Sequence, residues 1–593
     1  MSRFISAVAL VYITACGRQA GLSSSATDIG FPSSSATGVA TYSGDRRPPS
    51  FPDAWPHRPG RAAVFGAHAM VASDAPLASQ AGVEILRRGG NAVDAAVAVG
   101  FAMAVVFPEA GNIGGGGYMV IRMADGRTAT LDYREIAPLA ATRDMYLDAS
   151  GKLTDKSVIG PLASGVPGAV AGLTAALAKY GTLPLKDVMA PAIRLAEQGF
   201  VVDSALGRSF ANAARLIRQF NGAEVFLPND RPIAVGTHFV QPDLARTLHR
   251  IADQGAPGFY TGETAKLIAD EMRRDGGIIT EQDLARYKPV WRDAIASTYR
   301  GYTLLTMPPS SSGGVVVTET LNILENAPAL PPFGSAAYAH LVGSAYQRTF
   351  VDRNEKLADP AFASVPMKQL TDKAYARKLY ATIGASRATP TSTVAKTMNE
   401  GTETTHYSVA DASGNAVATT TTLNALYGSG VYVRGGGFFL NDEMDDFAAA
   451  PGKPNMFGLV QGEANAIQPG KRMLSAMSPT IVLDRDGGLL LIVGSRGGPR
   501  IITSTSQVIL NVLDHHMILS DAVSAPRIHH QALPDSLSYE RQGLSTAVVD
   551  SLRSMGYGVQ SMAGVGLINA IMRVRGGYEG MSDPRSSGKP AGY

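Results

Sequence analysis

The chain has 593 residues, 45% of them hydrophobic and 17% charged, with 53 Lys and Arg against 50 Asp and Glu for a formal net charge of +3. At roughly 100–200 residues per domain this is several domains or one large layered body, and so apolar a chain is not intrinsically disordered. No block of basic residues stands out, so neither nucleic acid nor an acidic membrane surface is implied as a bulk partner.

The single cysteine, Cys16, excludes an internal disulfide framework. Its setting is more informative. A short positive start, Met1-Ser2-Arg3, leads into an apolar stretch from Phe4 to Ala15, and Ile13-Thr14-Ala15-Cys16 closes it. This resembles a bacterial lipoprotein signal covering 1–15, in which Cys16 becomes the lipidated first residue. An ordinary signal peptide that happens to hold a cysteine is the alternative. An apolar run of about twelve residues is too short for a helix to cross ~30 Å of hydrocarbon. Residues 16–61 are rich in Ser, Thr, Gly and Pro, lack apolar periodicity and read as a flexible tether.

Order is expected from residue 62. Ser73-Asp74-Ala75-Pro76 reads as a helix start with a capping side chain and an early proline, and Gly89-Gly90 as its stop. Ala92 to Phe107 is apolar nearly all round, which predicts a buried helix. Val120-Ile121 and Thr128–Tyr133 read as strands. From about 160 to 380 the pattern is mostly helical, with runs at 169–179, 185–198, 264–274, 319–325 and 338–353. After a polar loop at 389–401, Thr404–Ala410 and Ala416–Leu423 flank the turn Ala412-Ser413-Gly414-Asn415 and predict a hairpin. Strands at 480–484 and 489–493 and a helix at 501–513 follow. Strands and helices in both halves predict a layered αβ fold.

Several familiar chemistries are excluded. One cysteine forbids C-x-x-C, and the histidines make no H-E-x-x-H. His515-His516 and His529-His530 lack an accompanying acidic pattern and read as surface or core residues. Neither a metal nor an organic cofactor is expected. Gly114 to Gly117 is followed by Tyr118-Met119 instead of Lys and Ser or Thr, so it is not a phosphate loop. No G-x-S-x-G elbow is found.

Glu403-Thr404-Thr405-His406 places two threonines at a strand opening, directly after a polar loop. A threonine hydroxyl needs an adjacent base to act as a nucleophile. Cutting the chain before it supplies one, because a free α-amino group titrates near 7.7–8.0. A plain strand start is the alternative, since threonine favours strands.

Other stretches extend the pattern. Thr404-Thr405-His406-Tyr407-Ser408, Thr422-Leu423-Asn424 and Asn441-Asp442-Glu443-Met444-Asp445-Asp446-Phe447 resemble the gamma-glutamyltransferase (gamma-glutamyltranspeptidase) family. So do Asn112 to Tyr118, Leu131 to Pro138, Pro308 to Gly314, Met477 to Thr480, Gly494 to Gly498 and Ser582 to Arg585, in family order over roughly 62–593. The resemblance implies an α+β, four-layer αββα N-terminal-nucleophile hydrolase, with two stacked sheets between helical layers. It implies self-cleavage at Glu403–Thr404 into a large subunit (62–403) and a small one (404–593) that stay associated as one intertwined domain. It implies transfer of a gamma-glutamyl group from glutathione or a related amide to Thr404, then to water or to an amino acid or dipeptide.

The family's roles carry over residue by residue. Arg134 holds the substrate α-carboxylate, Asp446 and Glu443 receive its α-ammonium, Asn424 adds a hydrogen bond there, and Ser475 supports the carboxylate. Gly497 and Gly498 offer backbone N–H groups to an oxyanion, and Thr422 aligns Thr404. Without the resemblance, Arg134 reads as a structural ion pair with Glu135 or another acid, and the two acids as a solvated turn. Two departures stand out. Ala476 follows Ser475 where the family commonly has a second serine, and Phe457 stands in the lid-like loop where some members carry a tyrosine. These keep open an acylase acting on glutaryl-cephalosporin-type amides. A separate, non-enzyme alternative is an uncleaved lipoprotein that binds peptides, against which Thr404, Gly497 and Gly498 all count.

Overall fold

The central strands are buried at almost every position, so each packs on both faces. The computed structural model describes residues 50–57, 62–391, 404–456 and 459–593; Cys16, Glu403 and Phe457 lie outside them. Fourteen strands of this region form two seven-stranded sheets. In chain order they are β1 (Val64–Gly66), β2 (Met70–Ala72), β3 (Gly116–Arg122), β4 (Thr128–Asp132), β5 (Val290–Arg292), β6 (Ile295–Tyr299) and β7 (Tyr302–Thr306), then β8 (Thr405–Ala410), β9 (Ala416–Thr422), β10 (Thr480–Leu483), β11 (Leu489–Arg496), β12 (Leu567–Val574), β13 (Gly577–Ser582) and β14 (Ala591–Gly592). One sheet runs β1-β13-β12-β11-β10-β7-β6 and the other β14-β2-β8-β9-β3-β4-β5, every neighbour antiparallel.

The period-two pattern sorts side chains into layers. Tyr118, Val120, Ala410 and Ala418 of one sheet meet Leu305, Ile481, Ile492 and Ile571 of the other. On the outer face of the first sheet, Leu304, Val482, Leu491 and Ile568 pack against helices α5 (Gly313–Leu324), α6 (Ala336–Lys356) and α7 (Arg500–Leu513). On the outer face of the second, Met119, Ile121, Tyr407 and Val417 pack against α1 (Pro76–Arg87), α2 (Ala92–Val106), α3 (Ala169–Tyr180) and α4 (Leu185–Gln198). The result is an αββα stack, as the resemblance implies. Helix α2 is buried along its whole length and starts on a capping box, Asn91 with Asp94.

Some expectations change. Neither Ser73 nor Asp74 caps α1: its N-cap is Ala75, and the Ser73 hydroxyl donates to Ala75 O at 2.9 Å. Asp74 instead accepts from the Thr405 hydroxyl, at 2.8 Å. Strands β5 to β7 interrupt the region read as helical. Residues 50–57 fall within the stretch read as tether, yet Trp55 is 4% exposed and its Nε1 donates to Ser524 O at 3.0 Å. The Arg585 guanidinium lies 5.1 Å from the Trp55 ring centre. His529 and His530 are buried, and burial depresses them to about 3 and about 4, so both are neutral. Among the described residues no cluster of three His, Cys, Asp or Glu could hold a metal, and no helix is long and apolar enough to cross a membrane.

Candidate active site

The hairpin β8–β9 builds the site's floor. Its register pairs Thr405 with Thr421, so Thr404, at the head of β8, and Thr422, at the end of β9, share one end of the hairpin. Thr404 is 4% exposed. The Thr422 hydroxyl accepts the Asn424 N–H at 2.7 Å. Asn424 has φ +77°, a left-handed conformation that asparagine tolerates. Its Nδ2 donates to Asp442 O at 3.1 Å.

The opposite sheet contributes the next element. Strand β11 ends at Arg496, and the chain turns through Gly497 (φ +129°) and Gly498 (φ +55°) into α7. Side chains rarely tolerate these backbone angles, which is the physical reason for two glycines. Arg500 N–H donates to Gly497 O at 3.1 Å and Ile501 N–H to Gly498 O at 3.0 Å. The turn therefore lies at a helix N-terminus, where the dipole favours negative charge.

A cleft with about 300 Å³ of empty volume joins these pieces. Thr404, Thr422, Asn424, Gly498, Ser475, Arg134, Glu443 and Asp446 all line it. Gly497 is not among the lining residues. Larger cavities exist, including one with about 1670 Å³ of empty volume beside Phe107, Phe200 and Arg496, but it holds none of these groups except the flank of the glycine turn. The chemistry is concentrated in the smaller cleft.

Charge fills this cleft. Arg134, 1% exposed, donates through Nη2 to Asp446 and pairs through Nη1 with Glu443. Its Nε donates to Met473 O at 3.4 Å, and Glu135 lies 3.7 Å from Nη1. Glu135 is thus the most distant of the three carboxylates around Arg134, and Glu443 and Asp446 are its close partners. Burial pushes the Glu135, Glu443 and Asp446 carboxyls upward, with Arg134 opposing, while the acids together hold Arg134 firmly protonated against its own burial. Asp446 is fixed from behind, its carbonyl accepting from Gln461 Nε2 at 3.0 Å and Asn465 Nδ2 at 2.7 Å.

Ser475 is tied to the loop before α5. Its N–H donates to Ser310 O at 3.1 Å, and its carbonyl accepts the Ser312 N–H at 2.8 Å. Its hydroxyl accepts the Met477 N–H at 3.1 Å, and Ala476 forms the adjacent wall. The sequence reading missed a second guanidinium in the same wall, that of Arg353 near the end of α6. It lies in the polar run Asp352 to Lys356, which reads as a solvated helix face.

A threonine heading a central strand of an αββα stack, beside a glycine turn at a helix N-terminus, defines the N-terminal-nucleophile hydrolase architecture. Over residues 78–593 the chain matches the gamma-glutamyltranspeptidase family model. It is 46% identical over 525 residues to the glutathione hydrolase proenzyme of Escherichia coli strain K12, covering 87% of this chain and 90% of that protein. Among solved structures, a cephalosporin acylase from Bacillus halodurans has a TM-score of 0.81 at 29% identity, covering 91% of this chain and 99% of its own. The Helicobacter pylori gamma-glutamyltranspeptidase has a TM-score of 0.54 at 42% identity, covering 57% of this chain and 96% of its own. The chain belongs to the gamma-glutamyltranspeptidase family.

Proposed function

We propose that the protein is a self-processing gamma-glutamyltransferase and glutathione hydrolase. The observation that carries this is the single cleft joining Thr404 to Arg134, Glu443 and Asp446. A gamma-glutamyl head bears one α-carboxylate and one α-ammonium, and a guanidinium beside two acids complements both. Thr404 first attacks the carbonyl of Glu403 through its hydroxyl, and water hydrolyses the resulting ester, releasing two associated subunits, 62–403 and 404–593. The freed α-amino group of Thr404 then serves as its base. The hydroxyl attacks the gamma-carbonyl of glutathione or a related amide, and the amine leaves. Water, or the amine of an amino acid or dipeptide, takes the acyl group. N–H groups at Gly497 and Gly498 stabilise the oxyanion, aided by the N-terminus of α7. Thr422 and Asn424 align this end of the cleft, and Ser475 supports the carboxylate.

Similarity to a cephalosporin acylase, together with Ala476, favours a second reading, a glutaryl acylase. Against it, a glutaryl head has no ammonium for Asp446 and Glu443. A donor panel separates the two. Gamma-glutamyl-p-nitroanilide and glutathione should be turned over at least about tenfold faster than glutaryl-p-nitroanilide, an interval worth ~1.4 kcal/mol. The reverse order sinks the transferase reading.

We also propose export to the cell envelope with a lipid on Cys16. The support is the charged start, the apolar run and Ile13-Thr14-Ala15-Cys16. Cys16→Ser should move the protein from the membrane to the soluble fraction while leaving kcat/KM within about twofold, since residues 17–49 separate the anchor from the body. Mass spectrometry that finds wild-type Cys16 unmodified, or removed with the signal, refutes the anchor.

A further inference from the structure

Among the described residues, Arg353 is the one cation lining the cleft to which the mechanism above gives no role. It is 1% exposed, and among the described residues no carboxylate pairs with it directly, although the Asp446 charge acts on it through space. Its Nε donates to the Ser312 hydroxyl at 2.9 Å and its Nη1 to Asn354 Oδ1 at 2.9 Å, while Nη2 has no hydrogen-bond partner. Desolvation lowers its pKa to about 10, which leaves it charged at neutral pH. Burying an unpaired charge is costly unless something compensates it.

The other donors in the cleft are already committed. Arg134 is shared between Glu443 and Asp446 and also donates to Met473 O. Ser475 brings one hydroxyl and Ala476 none. A carboxylate has two oxygens with about four lone-pair directions between them, more than one edge of Arg134 can satisfy even when a bound ammonium draws the two acids away from it. Ser312 links Arg353 to the wall the carboxylate would rest on, because the Ser312 N–H donates to Ser475 O at 2.8 Å.

We infer that Arg353 is a second carboxylate-binding residue of the donor cleft, its Nη2 donating to the α-carboxylate of the acyl donor alongside Arg134. The identity of that donor rests on the gamma-glutamyl reading. The cation itself serves any donor head that carries a carboxylate at this position, glutaryl included.

Calorimetry on the processed enzyme tests the assignment with three small ligands. L-glutamate carries both head charges, glutarate only the carboxylate, and 4-aminobutyrate only the ammonium. Arg353→Met should weaken L-glutamate and glutarate by about tenfold or more and leave 4-aminobutyrate within about twofold, the size of a lost charged hydrogen bond. Arg353→Lys keeps the charge and should weaken L-glutamate less than Arg353→Met. With gamma-glutamyl-p-nitroanilide the loss should fall mainly on KM. Equal weakening of all three ligands makes Arg353 structural and overturns the assignment, as does unchanged L-glutamate binding. If Arg353→Met does not process, the Lys variant carries the same comparison. Wild-type protein that binds glutarate but not L-glutamate overturns the gamma-glutamyl reading alone, and Arg353 is then judged on glutarate against 4-aminobutyrate. Wild-type protein that binds none of the three overturns both.

Discussion

Thr404→Ala should give one uncut chain and abolish turnover. Alanine removes the hydroxyl that both cuts the precursor and accepts the acyl group, so the two activities fall together. The expected loss in kcat is about 10³-fold or more, the scale on which nucleophile deletions act in covalent catalysis. Wild-type protein should give two bands on a denaturing gel, the smaller beginning Thr-Thr-His-Tyr. Thr404→Ser keeps a hydroxyl on the same backbone and should still cleave. The Thr405 hydroxyl is held by Asp74 at 2.8 Å on the far side of β8, so it cannot substitute. Edman sequencing that finds a small fragment starting at another residue, or a Thr404→Ala protein that still splits, removes Thr404 from the mechanism.

The parts of this site legible in the sequence are those set by local pattern. The hairpin of β8 and β9 follows from β-branched residues either side of a glycine turn, and α2 from an apolar run closed by Pro108. Strands β5 to β7 escaped because they are short, and β6, Ile295-Ala296-Ser297-Thr298-Tyr299, shows no period-two alternation inside a helix-rich region. Only long-range pairing makes them part of a sheet: β7 pairs with β10 and carries β6 with it, while β5 pairs with β4 in the other sheet. Arg353 escaped for a related reason. Its neighbours Asp352, Glu355 and Lys356 suggest a wet helix face, whereas burial comes from loops that arrive from Ser312 and Ser475. The capping expectation at Ser73 and Asp74 failed because both side chains had other partners: Ser79 for Ser73, Thr405 and Asn569 for Asp74.

The charges in the cleft set the second large effect. In the structure the guanidinium that is to hold a substrate carboxylate instead holds Glu443 and Asp446, the acids that are to hold the ammonium. Residues 312 positions apart in sequence neutralise one another. A zwitterionic head can insert by exchanging partners: its carboxylate faces Arg134, its ammonium faces the acids, and no buried charge is left alone. A head with one charge leaves part of the exchange incomplete and should bind more weakly. Truncating either partner strands the other in a dry cleft, which typically costs about 2–5 kcal/mol. Arg134→Ala and Asp446→Ala should each lower kcat/KM for gamma-glutamyl donors by about 10²-fold or more, at ~1.4 kcal/mol per tenfold. Cleavage before Thr404 should survive Asp446→Ala, because it uses the chain's own carbonyl and needs no ammonium. Asp446→Asn keeps the shape and removes the charge, so it should penalise gamma-glutamyl-p-nitroanilide more than glutaryl-p-nitroanilide. Equal losses for both donors would make Asp446 a structural partner of Arg134, and the gamma-glutamyl head would no longer account for the acids in this cleft.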